Sequence, residues 1–147
     1  MTSRAIWIAF ALLVVAMPVA AQPVGEWHVV GTAGKSLGVV GGGEAVVKDV
    51  VGVGLEAGAL LGGLGFTFSP GASFRIPSVG PLTPFVSSGG TFYQWFYGSF
   101  RGFHVGSGLD YRLSPTRGVR LEVRSHHGAG FYSSDRFLSM RIGMTFR

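Results

Sequence analysis

Cysteine is absent from the 147 residues, which excludes a disulfide framework, a thiolate zinc site and a thiol nucleophile. Asparagine is absent too. Charged side chains make up only 13% of the chain, about half the usual share, and leave a net charge of +5. Few charges beside 13% aromatic residues exclude intrinsic disorder, and the length excludes a multidomain enzyme. What the chain has in excess is glycine, 25 residues of it, and phenylalanine, with twelve. The glycines follow no three-residue period, so this is not collagen.

Residues 1–21 have the layout of a secretory signal peptide. Arg4 supplies the positive end, residues 5–17 are apolar, and Pro18-Val19-Ala20-Ala21 offers small residues for cleavage after Ala21. The apolar run is shorter than the ~20 residues a helix needs to cross a bilayer. The expected mature chain, residues 22–147, is one domain outside the cytoplasm, away from ATP and nucleic acid.

From Trp27 onward the dominant signal is alternation with a period of two, the mark of β-strands. Phe103, Val105, Leu109, Tyr111 and Leu113 oppose Gly102, His104, Gly106, Gly108, Asp110 and Arg112. Val119, Leu121 and Val123 oppose Arg120, Glu122, Arg124 and His126. Leu138, Met140, Ile142, Met144 and Phe146 oppose Ser139, Arg141, Gly143 and Thr145. Earlier, Trp27 and Val29 oppose Glu26 and His28, Val53 and Leu55 oppose Gly54 and Glu56, and Phe66, Phe68 and Phe74 oppose Thr67, Ser69 and Arg75. Residues 37–47 and 82–94 leave the register open. Breaks near residues 34–36, 48–49, 61–63, 77–81, 94–101, 114–117 and 127–135 divide the chain into about eight strands.

The alternation is inverted relative to a soluble barrel. Large apolar residues occupy one face, while the other holds Gly, Ser, Thr and charges of both signs. That suits an eight-stranded antiparallel up-and-down transmembrane β-barrel with lipid outside and a narrow polar interior. Closure is required because an open sheet edge in hydrocarbon leaves backbone groups unpaired. Buried charges must pair, so Glu56, Arg75, Asp110, Arg112, Arg120, Glu122, Arg124 and Arg141 are expected to form a network that plugs the lumen. An N-terminus in the periplasm puts the compact breaks at 48–49, 77–81 and 114–117 on that side. The longer breaks at 94–101 and 127–135 become outer loops, with Tyr93, Trp95, Phe96, Tyr97, Phe131 and Tyr132 as an aromatic belt.

Leu82-Thr83-Pro84-Phe85-Val86, the run ending Gly108-Leu109-Asp110-Tyr111-Arg112-Leu113, and the closing Met140-Arg141-Ile142-Gly143-Met144-Thr145-Phe146 resemble the small bacterial outer-membrane β-barrel family, OmpA- and OmpX-like. The resemblance is best over residues 82–147. It implies residence in the outer membrane of a Gram-negative-type bacterium, contact with membrane lipids, and assembly by the insertion machinery through Leu138, Met140, Ile142, Met144 and Phe146. Such strands normally end on an aromatic residue, whereas here Phe146 is penultimate and Arg147 follows. The resemblance implies a class and no particular reaction; the expected role is structural or surface interaction without catalysis, through loops whose ligand the sequence does not name.

Other motifs carry less. Gly34-Lys35-Ser36 ends like a phosphate-binding loop, but the first glycine of that motif is Val29 here. Gly54, Gly58 and Gly62 have the spacing of packed membrane helices, yet the six glycines between Gly52 and Gly65 each cost about 1 kcal/mol in a helix. His126 and His127 are adjacent and face opposite sides of a strand, so they cannot chelate one metal. No metal and no cofactor is expected. Lipid A deacylases are eight-stranded barrels with a lipid-facing His/Ser/Glu triad, and a His near the end of the penultimate strand resembles theirs. Here Ser133 and Ser134 lie far from His127, no Glu follows Glu122, and no complete triad is identifiable.

Overall fold

A computed structural model describes residues 24–61, 65–77, 80–96, 98–130 and 133–147. It contains eight strands, β1 (Val24–Ala33), β2 (Gly38–Val47), β3 (Val51–Leu60), β4 (Gly65–Arg75), β5 (Leu82–Trp95), β6 (Gly98–Ser114), β7 (Arg117–Gly130) and β8 (Ser133–Phe146). Each pairs antiparallel with the next, and β8 returns to β1 from Trp27↔Phe146 to Ala33↔Met140. The sheet is a closed barrel with no free edge. The signal-peptide reading of residues 1–21 lies outside the described residues.

The period-two pattern sets which side chains face in. Along β1, Glu26, His28, Val30 and Thr32 are buried while Trp27 and Val29 are exposed. Along β8, Ser139, Arg141 and Thr145 are buried while Leu138, Met140 and Ile142 are exposed. The outward run from Phe103 to Leu113 on β6 spans about 34 Å of strand, or about 26 Å of height at a tilt of about 40°, near the thickness of an outer-membrane apolar band. β2 resolves one open register: Val40, Glu44 and Val46 turn inward, and Val39 and Ala45 outward. Glu44 thereby joins the interior.

The β2–β3 hairpin turns through Lys48 and Asp49, both with positive φ (52° and 55°), and closes with Val50 N–H donating to the Val47 carbonyl at 3.1 Å. Two left-handed residues in succession match the twist of the flanking strands. Residues 50–68, weighed above as a glycine-spaced helix, instead contribute β3 and the start of β4.

The expected long outer loops are corrected. Trp95 pairs with Gly98, and Gly130 pairs with Ser133, so residues 94–101 and 127–135 are mostly strand. In 94–101 the inward Trp95 and Phe100 are aromatic instead of small, which disguised the continuing alternation. Connections are short at both ends, and the longest, residues 76–81, lies at the end that holds both termini.

Candidate functional site: the lumen

Eight strands enclose an interior just wide enough for side chains. The interior is stacked in three layers. Nearest the termini, Arg75 makes a two-pronged pair with Glu26 (2.9 and 3.0 Å) and donates to Glu44 at 2.8 Å. Ser73 donates to the same Glu44. Arg120 makes a fork onto Asp110 (2.8 and 2.9 Å) and lies over the Phe85 ring. Arg147 closes this layer with a 2.9 Å bond to Glu26.

In the middle layer, Arg124 spans two carboxylates. Its Nη1 and Nη2 meet Glu56 at 2.6 and 3.0 Å, and its Nε meets Glu122 at 2.8 Å. Arg141 bridges the same two acids at 3.1 and 3.0 Å. Ser87 donates to Glu122, and His28 Nε2 lies 2.8 Å from Glu56. The carboxylates Glu26, Glu44, Glu56, Asp110 and Glu122 thus meet an equal number of guanidinium groups, Arg75, Arg120, Arg124, Arg141 and Arg147. Equal charge and forked geometry offset the desolvation that an unpaired ion would suffer here.

The third layer, toward the opposite mouth, is aromatic. Tyr93, Phe100 and Leu60 are buried together, with Trp95 and Phe137 packed against them. Phe137 stacks on His126 at 4.5 Å. His126 Nε2 contacts Ser139 at 2.9 Å, and His104 Nδ1 contacts Thr91 at 2.8 Å. The loop between β1 and β2 covers this cap: the Trp95 indole donates to Ser36, and the Lys35 ammonium lies 5.9 Å from the Trp95 ring and 5.8 Å from Phe137. The phosphate-loop look-alike is therefore a lid turn over an aromatic plug.

Two sequence expectations are corrected. Arg112 belongs to no ion pair among the described residues; it is exposed at the terminal mouth, because β6 ends there and its side chain passes the network's level. Tyr93 and Trp95 are not belt residues: both have inward parity on β5 and fill the cap. Phe96 is exposed at 78% on the hairpin tip, while Tyr97, Phe131 and Tyr132 lie outside the described residues. Glu26 and Glu44 were missed as network members, although the parity of Glu26 already placed it on the inner face.

Cavities of about 40 and 10 Å³ remain among the lumen side chains, and one of about 30 Å³ lies at the mouth that holds the termini. Such volumes hold isolated waters and no continuous file. Planar-bilayer recordings of the refolded protein should show no discrete openings; stepwise conductance would mean that the plug swings aside.

On the outer wall, Ser125 Oγ lies 2.8 Å from His127 Nε2, a contact the sequence reading missed because it sought a serine beyond the histidine. Among the described side chains no carboxylate orients this imidazole.

No protein-family model and no curated protein matches the chain. Solved structures do. The N-terminal β-barrel domain of Pseudomonas aeruginosa OprF aligns with TM-score 0.69 and 17% identity, covering 86% of this chain and 98% of that one. A de novo designed transmembrane β-barrel aligns at 0.66 and 18%, covering 88% and 98%. Neisserial surface protein A aligns at 0.52 and 11%, covering 83% and 93%. The chain has the fold of the small eight-stranded transmembrane β-barrels. At these identities the likeness carries the architecture alone.

Proposed function

We propose that this barrel resides in the outer membrane of a Gram-negative-type bacterium as a non-catalytic structural protein of the envelope, with its lumen closed by ion pairs and aromatic rings. The carrying observation is the inverted surface: the outer wall exposes Trp27, Phe74, Leu138 and Ile142 while Arg75, Arg120, Arg124 and Arg141 are shut inside with the carboxylates they pair with. Assembly runs through the insertion machinery reading Leu138, Met140, Ile142, Met144 and Phe146. Any surface interaction uses the wall and the hairpin tips, because the long loops expected to carry it are strands.

Ile142→Arg tests the lipid-facing wall. Ile142 is 62% exposed midway along the outward run of β8. On a soluble protein such a surface change stays within about 0.5 kcal/mol. At a bilayer midplane it costs about 2–4 kcal/mol. Unfolding in urea from phosphatidylcholine vesicles should show the larger loss, and the wild-type chain should fractionate with outer membranes. A stable, detergent-free monomer would sink the reading.

The Ser125–His127 contact favours a second reading, a lipid A deacylase-like barrel. A nucleophile and base without an orienting acid is an incomplete relay. The purified barrel should release no fatty acid from lipid A; release abolished by Ser125→Ala would reverse this.

A further inference from the structure

The aromatic cap is built around a titratable ring. His126 is 1% exposed, and its imidazole stacks on Phe137 at 4.5 Å and 11° and meets the edge of Tyr93 at 5.6 Å. Its Nε2 contacts the Ser139 hydroxyl, and its Nδ1 has no partner among the described residues. In either tautomer a second proton leaves the ring charged, with an N–H at Nδ1 and no acceptor for it.

The surrounding charges oppose that proton as well. Arg124 from β7 and Arg141 from β8 line the same cavity of about 10 Å³ as His126. β3 contributes Glu56 to that cavity, but Arg124 and Arg141 already engage it, and the same two arginines hold Glu122 lower on β7. β6 sets His104 against His126 with ring centres 5.8 Å apart. The remaining strands bring Thr32, Val40, Thr67, Ser69 and Tyr93, which carry no charge at neutral pH. On the lid turn, the Lys35 ammonium lies 5.8 Å from the same Phe137 ring that His126 stacks on. A charged His126 would thus meet arginines whose acids are spent, and would share its stacking partner with a lysine.

We propose that His126 is an acid-sensitive latch: its protonation breaks the Phe137 stack and releases the lid turn and the Trp95 ring from the mouth, while the ion-paired layers below stay closed. The released cap lets water reach Nδ1, so the open form accepts the proton that the closed form refuses. Stability of the closed cap is therefore complete above the range in which histidine titrates and falls as the pH drops through it. With an ordinary imidazole pKa of about 6.5 in the open form, lowering the pH to about 5 raises the ratio of open to closed cap about 30-fold. Carboxylates and guanidinium groups ordinarily keep their charge at about pH 5, so the latch moves without the network. The inference needs the closed barrel and not its residence in a membrane.

The test follows Trp95 in the mature protein refolded in dodecyl maltoside, on a Trp27→Phe background that leaves Trp95 the only tryptophan of residues 22–147. Between about pH 7.5 and about pH 5, quenching of Trp95 by acrylamide should rise at least about three-fold and reversibly. Over the same range the unboiled gel band should keep its closed-barrel mobility. His126→Phe keeps a ring against Phe137 but takes no proton, so its quenching should stay low at both pH values. Asp135→Asn should respond as its parent does, which separates the imidazole from the nearby carboxylate on β8. Flat quenching in the parent would overturn the proposal, as would an acid response that survives in His126→Phe or is lost in Asp135→Asn. Loss of the unboiled band would overturn it too, because the whole barrel would then be opening and not the cap. Should His126→Phe fail to fold, His126→Gln takes its place with the same expectation.

Discussion

Replacing Gly143 by Val should abolish the heat-modifiable folded band altogether. Gly143 sits opposite Val30 on the seam where β8 meets β1 and the barrel closes. A Cβ placed there would overlap the Val29 carbonyl oxygen and stand 2.5 Å from the Val30 Cα. Both atoms are backbone, so no rotamer change relieves the clash. Ordinary overpacking costs about 1–3 kcal/mol because side chains give way. Here the strands themselves must separate, and separation at the seam exposes unpaired backbone groups to hydrocarbon. Gly25→Val is the matched control, since nothing lies within 4 Å of a Cβ at that position. Refolding both variants in detergent and running them boiled and unboiled reads the outcome. A normal band for Gly143→Val would mean that the β1–β8 seam is looser than its register implies.

Glu56→Ala should be the most destabilising single change within the ion network. Glu56 accepts from Arg124 and Arg141 and contacts His28, so its removal leaves two guanidinium groups sharing the one charge of Glu122 in a closed interior. Breaking a buried pair in this way costs about 3–5 kcal/mol. Replacing both partners is different. Glu56→Met with Arg124→Met removes the acid and one of its cations together, leaving Arg141 still held by Glu122 at 3.0 Å. The double variant should therefore recover much of the loss, which urea titration in detergent would measure. A loss under about 1 kcal/mol for Glu56→Ala would show water reaching the network and compensating the stranded charges.

The two substitutions probe different levels of organisation, and the sequence spoke to them unequally. Strand β8 is legible on its own: Leu138, Met140 and Ile142 against Ser139, Arg141 and Gly143 state two faces, and large residues opposite charged ones state which solvent each face meets. β7 reads as plainly, with Leu121 and Val123 against Arg120, Glu122 and Arg124. β2 does not, because Val and Gly fill both of its faces and no contrast in size or polarity marks the inner one. Its Glu44 became visible as a lumen residue only once β2 was paired between β1 and β3.

Parity assigns a face but not a height or a neighbour around the circumference. Tyr93, Trp95, Phe100 and Phe137 all have inward parity, yet aromatic rings near hairpin ends read as a belt or a loop until their strands were seen to continue. Arg112 shares the inward parity of Asp110, but it stands one step too near the mouth to pair. The salt bridges have the same dependence: Arg75 meets Glu26 from 49 residues away, and Arg124 meets Glu56 from 68. By itself the sequence determined strands, the two faces of those whose neighbours contrast in size and charge, and closure, since these follow from a local period and from the solvent each face needs. Tertiary structure alone decided which charges meet and which aromatic rings plug the mouth. Those depend on the stagger of eight strands around one axis, a property of the closed sheet that no single strand carries.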